Sequence, residues 1–346
     1  MKFTALVFLS TVAFAMAQSE SSPVSELKFG DLGDLKLESG AVIRDCRIGY
    51  HTLGKLNEDK SNVVLWPTWF TGSSKQLFPL VGSDGYVDPA HFFVILVDAL
   101  GNGVSSSPSN SPVQPRMDFP VFTIRDMVNS QYRLLTENLG INHIRAVMGI
   151  SMGGMQTFQW IVSYPEFMDK AVAIVGSPRL TAYDLLLWRS EQSAIEEDKD
   201  WNGGNYTTRP RLDTVAEIHN LALTTPAYRV RETAATKFPE FLDGIDKDGL
   251  GRMDANDWLR QLKAMMTHNI ASPFGDSLDG AAKQVKAKVM VVAATQDHMV
   301  NPTPAMEFAG ILHATVVQLT GDCGHLEPGC DKAVAAPKVR EFLASE

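Results

Sequence analysis

Cysteine is scarce in this chain: Cys46, Cys323 and Cys330 are all there is, too few to build a disulfide scaffold. Basic residues are outnumbered, with 31 Lys and Arg against 40 Asp and Glu and a formal net charge of −9. Binding a polyanion requires a basic surface that displaces counterions, so a nucleic-acid partner is excluded. No two of the eight histidines stand at metal-ligand spacing, and no metal is expected. Internal repeats and low-complexity tracts are missing, as is any apolar run beyond the N-terminus long enough for a membrane anchor. What is present, 45% hydrophobic and 21% charged residues, is ordinary globular composition and excludes disorder or a fibrous repeat.

The N-terminus has the pattern of an export signal. Lys2 precedes the apolar run Phe3 to Ala15, and Ala15-Met16-Ala17 puts small residues where a signal peptidase cuts. Residues 1–17 are therefore expected to be removed, leaving a secreted chain from about Gln18 with no membrane anchor. In an oxidising compartment Cys323 and Cys330 are close enough in sequence to pair; they would then brace the loop around His325 and leave Cys46 unpaired. Asn205-Tyr206-Thr207 is a glycosylation sequon, meaningful only if a eukaryotic host exports the chain.

Residues 18–34 are rich in Ser, Glu and Gly and are expected to be loose, within an N-terminal segment 18–41. Apolar, β-rich runs then recur at Val42–Ile48, Val63–Trp66, Phe92–Val97, Arg145–Met148, Ala171–Val175, Val289–Ala294 and Thr315–Leu319. Nearly continuous apolar runs mark strands buried on both faces of a parallel sheet. Helical stripes lie between them, as from Ile124, where Thr123 can cap the start and Gly140 the end. The alternation predicts an α/β class chain with a mostly parallel central sheet and helices on both faces. It fails over residues 176–287, where helical stripes such as Trp258, Leu259, Leu262, Met265 and Met266 occur without strands. That stretch is expected to be a helical lid inserted between two parts of one core, 42–175 and 288–346.

The most informative stretch is AVMGISMGGMQTFQW, Ala146 to Trp160. Gly149-Ile150-Ser151-Met152-Gly153 fits G-x-S-x-G, directly after a predicted strand and before a predicted helix, which is the setting this motif requires. A serine there occupies a strained corner, and the glycines spare the neighbouring backbone a collision. Serine is a weak nucleophile until a base takes its proton, and the base needs an acid to hold its tautomer. Asp297 ends the strand in VVAATQDHMV and His325 follows the next strand in GDCGHLEPG; Ser151, Asp297, His325 is the chain order of an α/β hydrolase fold. Of the other histidines, His298 follows the acid too closely to receive its hydrogen bond. His51, His91, His143, His219, His268 and His313 are read as solvated or satisfied in the core. For the oxyanion, the backbone N–H of Met152 is one expected donor. The second comes from PTWFTGSS, with Phe70 as first choice and Trp69 as the alternative.

Two stretches imitate other sites. Asp98 to Ser106, DALGNGVSS, has Ser106 where a dinucleotide fingerprint needs its third glycine, and no cofactor is expected. Asp246 to Asp257, DKDGLGRMDAND, imitates a calcium loop, but Leu250 replaces an oxygen ligand and Asp257 the terminal Glu; it is read as a polar turn before a capped helix.

The motifs GISMGGMQTFQW, DWNGGNY, RMDANDWLRQLKAM and VKAKVMVVAATQD resemble the homoserine O-acetyltransferase family of α/β-hydrolase proteins, from about Val42 to Leu343. The resemblance implies that Ser151 carries the acyl group, that Asp297 and His325 complete the triad, and that the helical insert is a lid; relatives often look dimeric, so a homodimer is one option for an oligomeric state that the sequence leaves open. Two positions depart from the family pattern. Gln192 stands where the family has an arginine for an amino-acid carboxylate, and Leu326 follows His325 where the family has aspartate. With export, these point to water as acceptor and to a secreted esterase acting on a small-molecule ester. The alternative is an O-acyltransferase passing the acyl group to a hydroxyl, and the third class is a binding protein that keeps the fold without catalysis.

Overall fold

The computed structural model describes residues 25–247 and 253–346; the expected export signal, 1–17, lies outside the described residues. Eight strands form one sheet: β1 (Lys28–Lys36), β2 (Val42–Leu53), β3 (Val63–Pro67), β4 (Phe93–Val97), β5 (Ile144–Ile150), β6 (Met168–Ile174), β7 (Lys288–Ala294) and β8 (Thr315–Leu319). Their spatial order is β1-β2-β4-β3-β5-β6-β7-β8. The first two strands run antiparallel to their neighbours, and from β4 onwards every pairing is parallel.

The central strands are apolar throughout because both sides of the sheet are covered. Along β3, Val63 and Leu65 enter one core with Met155 and Phe158, while Val64 and Trp66 enter the other with Val339 and Leu343. The first core is roofed by α1 (Ile124–Arg133) and α2 (Met152–Ser163). α1 starts at a capping box in which Thr123 accepts from the Asp126 N–H and Asp126 receives the Thr123 N–H. The stripe does not continue as one α-helix to Gly140: after Arg133 the backbone widens into a π turn, Leu134–Asn138, with Leu139 N–H bonded to Leu134 O at 3.2 Å.

The N-terminal segment departs from expectation. Residues 28–34 were expected to be loose, yet they lie in β1, with Leu32 and Leu35 5% and 2% exposed against Ile43 and Ile48 of the same core. Pairing with β2 supplies the order that composition alone does not. Gly30 permits the close approach of Leu134, whose Cδ1 would lie 2.3 Å from an added Cβ.

Between β6 and β7 the chain leaves the sheet through α3 (Ala182–Glu196), α4 (Asp213–Leu223), α5 (Pro226–Glu232), α6 (Phe238–Lys247) and α7 (Ala255–Met266), and returns through α8 (Leu278–Ala282). Of the stretch that imitates a calcium loop, residues 248–252 lie outside the described residues; Asp254 caps α7, accepting from the N–H groups of Asn256 and Asp257. The dinucleotide-like stretch opens no helix and is stitched to β2, with Ser106 N–H on Arg47 O and Gly49 N–H on Ser105 Oγ. α9 (Thr303–Leu312), α10 (Glu327–Cys330) and α11 (Lys332–Ala344) complete the chain. No helix among the described residues is long and apolar enough to cross a membrane.

α7 docks the lid on the core through buried polar groups. Arg260 donates to the carbonyls of Met117 and Phe119. Asp257 accepts from Ser109 N–H at 2.9 Å and from its hydroxyl at 2.5 Å. Burial pushes the Asp257 carboxyl up to about 7, against those two hydrogen bonds and with a contribution from the Asp254 charge. A carboxyl whose pKa rises on folding stays protonated in the native state after the unfolded chain has ionised. Its stabilisation is therefore complete below about pH 4 and is lost as pH rises towards about 7. Asp257→Asn removes this titration. Melting temperatures of the two proteins should then differ little at about pH 4, with the Asn variant gaining on the parent up to about pH 8; a gap that does not change with pH would contradict this origin.

Candidate active site

The site grows from the turn that joins β5 to α2. Ser151 has φ 59° and ψ −121°, a conformation that costs a non-glycine residue energy and persists only where its surroundings enforce it. Ser151 N–H bonds Ile174 O, and Ser151 O accepts from Met155 N–H. The flanking glycines let the backbones meet: an added Cβ at Gly149 would lie 2.2 Å from Gly153 O, at Gly153 2.7 Å from Pro67 O, and at Gly154 2.9 Å from Gly176 Cα. The hydroxyl is thereby presented at the carboxyl edge of the sheet.

Two loops from the same edge meet it. Asp297 follows β7, its Oδ1 accepting from the N–H groups of Met299 and Val300 at 2.8 and 3.0 Å. Its Oδ2 lies 2.7 Å from His325 Nδ1, and His325 Nε2 lies 2.8 Å from Ser151 Oγ. An ionised carboxylate only accepts, so Nδ1 carries the proton and Nε2 turns its lone pair to the serine hydroxyl. All three side chains are buried, with Ser151, Asp297 and His325 exposed by 8%, 5% and 7%. His325 sits in a tight turn, Gly324–Leu326, that the Cys323–Cys330 disulfide closes from both ends. Within it, Glu327 accepts from Cys323 N–H at 2.7 Å, and burial holds the Glu327 carboxyl above its ordinary range. Cys46 is a buried free thiol, pushed up to about 12 by burial.

Of the expected oxyanion donors, Met152 follows Ser151 directly in the chain, and Phe70 and Trp69 line the same cavity as Ser151. Met152 opens α2, where a first-turn N–H has no partner within the helix. The N–H groups of Met152, Phe70 and Trp69 donate to no acceptor among the described residues. The loop bearing Phe70 is pinned on both sides. Thr68 N–H bonds Val97 O, and Gln156 of α2 donates to Thr68 O at 3.0 Å. Beyond Phe70, Thr71 N–H bonds Gln261 of α7 at 3.0 Å. Buried Asp98 gathers Ser74 N–H, the Ser74 hydroxyl and Asn102 at 2.5 to 2.8 Å; burial raises its carboxyl against these bonds.

Ser151 and His325 open into a cavity of about 500 Å³ between core and lid. Its wall includes Trp69, Phe70, Tyr86, Trp188, Leu223 and Met299, and among the described residues it holds no Lys, Arg, Asp or Glu. Gln192, at the position expected to grip a carboxylate in homoserine O-acetyltransferases, instead donates to Glu196 at 2.8 Å. His51, His143 and His268 are bonded elsewhere, to Ser74, Asp169 and Ser177 O. His219 is the exception. It is 6% exposed, bonded to Glu191 at 3.0 Å, and lines the cavity. Its helical spacing alone gave no sign of this, because its partner lies 28 residues away on another lid helix.

Comparison with known proteins agrees with this architecture. The alpha/beta hydrolase fold family matches residues 62–327. An ethyl acetate hydrolase of Pseudomonas veronii is 33% identical across 77% of this chain and 79% of that protein. A homoserine O-acetyltransferase of Caulobacter vibrioides is 32% identical across 90% of this chain and 92% of that one. The crystal structure of an acetylester hydrolase from Corynebacterium glutamicum aligns with a TM-score of 0.84 at 28% identity, covering 92% of this chain and 96% of that one.

Closing the short Cys323–Cys330 loop restrains both the unfolded chain and the turn that carries His325. Replacing both cysteines by serine should lower stability by about 2 kcal/mol in denaturant titrations. It should also lower kcat for any ester the enzyme turns over, because His325 loses its frame. Unchanged stability and kcat in the double variant would contradict the bracing role.

Proposed function

This chain belongs to the alpha/beta hydrolase fold family, and on that premise we propose that it is a serine esterase that cleaves small neutral carboxylic esters through an acyl-serine intermediate. The family and its esterase and O-acetyltransferase relatives make it a hydrolase or acyltransferase; the proposal concerns which of these it is and which residues act. What supports it is one arrangement: the hydrogen-bonded chain from Asp297 through His325 to Ser151, facing a cavity whose wall carries no fixed charge among the described residues.

In the proposed reaction, His325 Nε2 takes the proton of Ser151 Oγ as that oxygen attacks the ester carbonyl. Asp297 holds the imidazole in the required tautomer and stabilises the imidazolium that forms. The carbonyl oxygen becomes an oxyanion, held by the N–H groups of Met152 and Phe70. When the tetrahedral intermediate collapses, the C–O bond to the alcohol breaks and His325 returns its proton to the departing oxygen. Water then enters, gives its proton to His325, and attacks the acyl carbon; collapse releases the carboxylic acid and restores the serine hydroxyl.

Water is favoured as acceptor because no described residue of the cavity wall would pair with the carboxylate of an amino acid or the phosphates of an acyl carrier. Kinship with the Caulobacter homoserine O-acetyltransferase supports the second reading, in which a hydroxyl compound replaces water at the acyl-enzyme. Export is also proposed. Its support is the signal pattern in residues 1–17 together with the Cys323–Cys330 bridge, since disulfides persist in oxidising compartments. Peptide mapping of protein recovered from its native cells should find the mature chain starting at about Gln18.

The chemistry is tested with nitrophenyl acetate, with and without an added alcohol. Free acetate should be the product in both cases, whereas a new acetyl ester as main product would move the assignment to the transferase. Ser151→Ala should lower kcat/KM by about four orders of magnitude or more, and Asp297→Asn by about three to four. A Ser151→Ala protein with full turnover would sink the mechanism.

A further inference from the structure

A second acid–imidazole pair faces the cavity from the lid. His219 of α4 places Nδ1 3.0 Å from Glu191 Oε1 of α3, and Glu191 Oε2 accepts the Trp258 indole N–H at 3.1 Å. Glu191 is fully buried, and His219 is packed among aromatic rings, with centroids 5.9 Å from Phe70, 6.3 Å from Trp188 and 5.4 Å from Trp258. The mechanism above uses neither residue. Burying a carboxylate is costly unless it is hydrogen-bonded, and a lid that served only to exclude water would need none. What Glu191 does is fix the imidazole. With both carboxylate oxygens accepting, Nδ1 carries a proton, and in the neutral ring this leaves a lone pair on Nε2. Nε2 has no hydrogen-bond partner among the described residues, and His219 lines the cavity. Apart from the reacting pair, it is a polar atom set in a wall made mostly of hydrocarbon and rings.

We propose that His219 Nε2 is a specificity determinant of this cavity: it accepts a hydrogen bond from a free hydroxyl on the substrate, held away from the scissile carbonyl. The favoured substrates are then esters of small, otherwise apolar skeletons that keep one hydroxyl, such as monoacylated diols or esters of hydroxy acids. A cavity of about 500 Å³ has room for such a skeleton beside the reacting carbonyl. Glu191 is a positioning residue, acting through the tautomer it imposes. The inference rests on the esterase reading given above.

The test compares matched esters in which one group changes. Butanediol monoacetate is set against isosteric pentyl acetate and a ketone-bearing acetate of the same length, and ethyl hydroxyhexanoate against ethyl heptanoate and ethyl oxoheptanoate. These two sets place the polar group on the alcohol part or the acyl part. Ratios of kcat/KM are taken within each protein at about pH 8.5, on the alkaline side of ordinary imidazole titration, so that a general loss of activity cancels.

In at least one set, the hydroxyl-to-alkyl ratio of the parent enzyme should exceed that of His219→Leu by about tenfold, carried mainly by KM. Glu191→Gln supplies the sharper signature. Its carbonyl oxygen can keep the Trp258 bond while its amide N–H donates to Nδ1, which moves the imidazole proton to Nε2. The ketone-to-alkyl ratio, which needs a donor in the wall, should then rise by about tenfold over the parent. A purely structural role for the pair would move neither ratio. A parent enzyme that cleaves the alkyl esters but shows the same ratios as both variants overturns this inference and leaves the esterase reading standing. A parent that cleaves none of the esters overturns the esterase reading, and this inference falls with it.

Discussion

The site depends on how closely α2 can approach the strands beside it. Gly149 against Gly153, and Gly154 against Gly176, bring backbone to backbone where a single Cβ would lie under 3 Å from its neighbour. If the helix were pushed outward, the strained turn at Ser151 would relax and the 2.8 Å contact from its hydroxyl to His325 would be lost. The strain at Ser151 is held by bonds on either side of it, its N–H to Ile174 and its carbonyl from Met155. The chemistry therefore rests on packing that has no chemistry of its own.

Around that corner, a buried polar network ties together parts of the chain that are far apart in sequence. Gln156 of α2 and Gln261 of α7 both grip the loop that carries Phe70, one through Thr68 O and the other through Thr71 N–H. Gln261 also donates to Leu100 O, next to the Asp98 cluster. The lid helix α7 thus holds the candidate oxyanion loop, while α3 and α4 supply Trp188, His219 and Leu223 to the cavity wall. A hydrogen bond strengthens in an apolar enclosure, and a missing one costs more there. That is why so few polar atoms suffice to define the site.

Much of this was legible in the sequence, for identifiable reasons. Doubly buried parallel strands leave continuous apolar runs, so the core strands from Val42 to Leu319 could be read directly. The G-x-S-x-G turn is legible because steric necessity leaves a glycine at each tight contact. The order Ser151, Asp297, His325 follows from sheet topology. β1 was missed because KFGDLGDLK has a weak strand pattern and takes its order from pairing with β2. The π turn after Arg133 was missed because a widened turn keeps a helical stripe. Glu191 and His219 were missed as a pair because each is an unremarkable residue on its own helix, and only the packing of α3 on α4 brings them together.

The direct pairing of β6 with β7, Lys170 against Lys288 and Ile174 against Val292, has a consequence for how such a protein can change. The chain departs for the lid and comes back at adjoining strands, so the sheet is continuous beneath whatever lies between. Selection could lengthen, shorten or exchange much of that excursion as a cassette while Ser151, Asp297 and His325 kept their positions, provided the grip of Gln261 on the Phe70 loop was retained. Substrate preference and reactivity would then be inherited separately, the first written in a replaceable module and the second in the permanent frame.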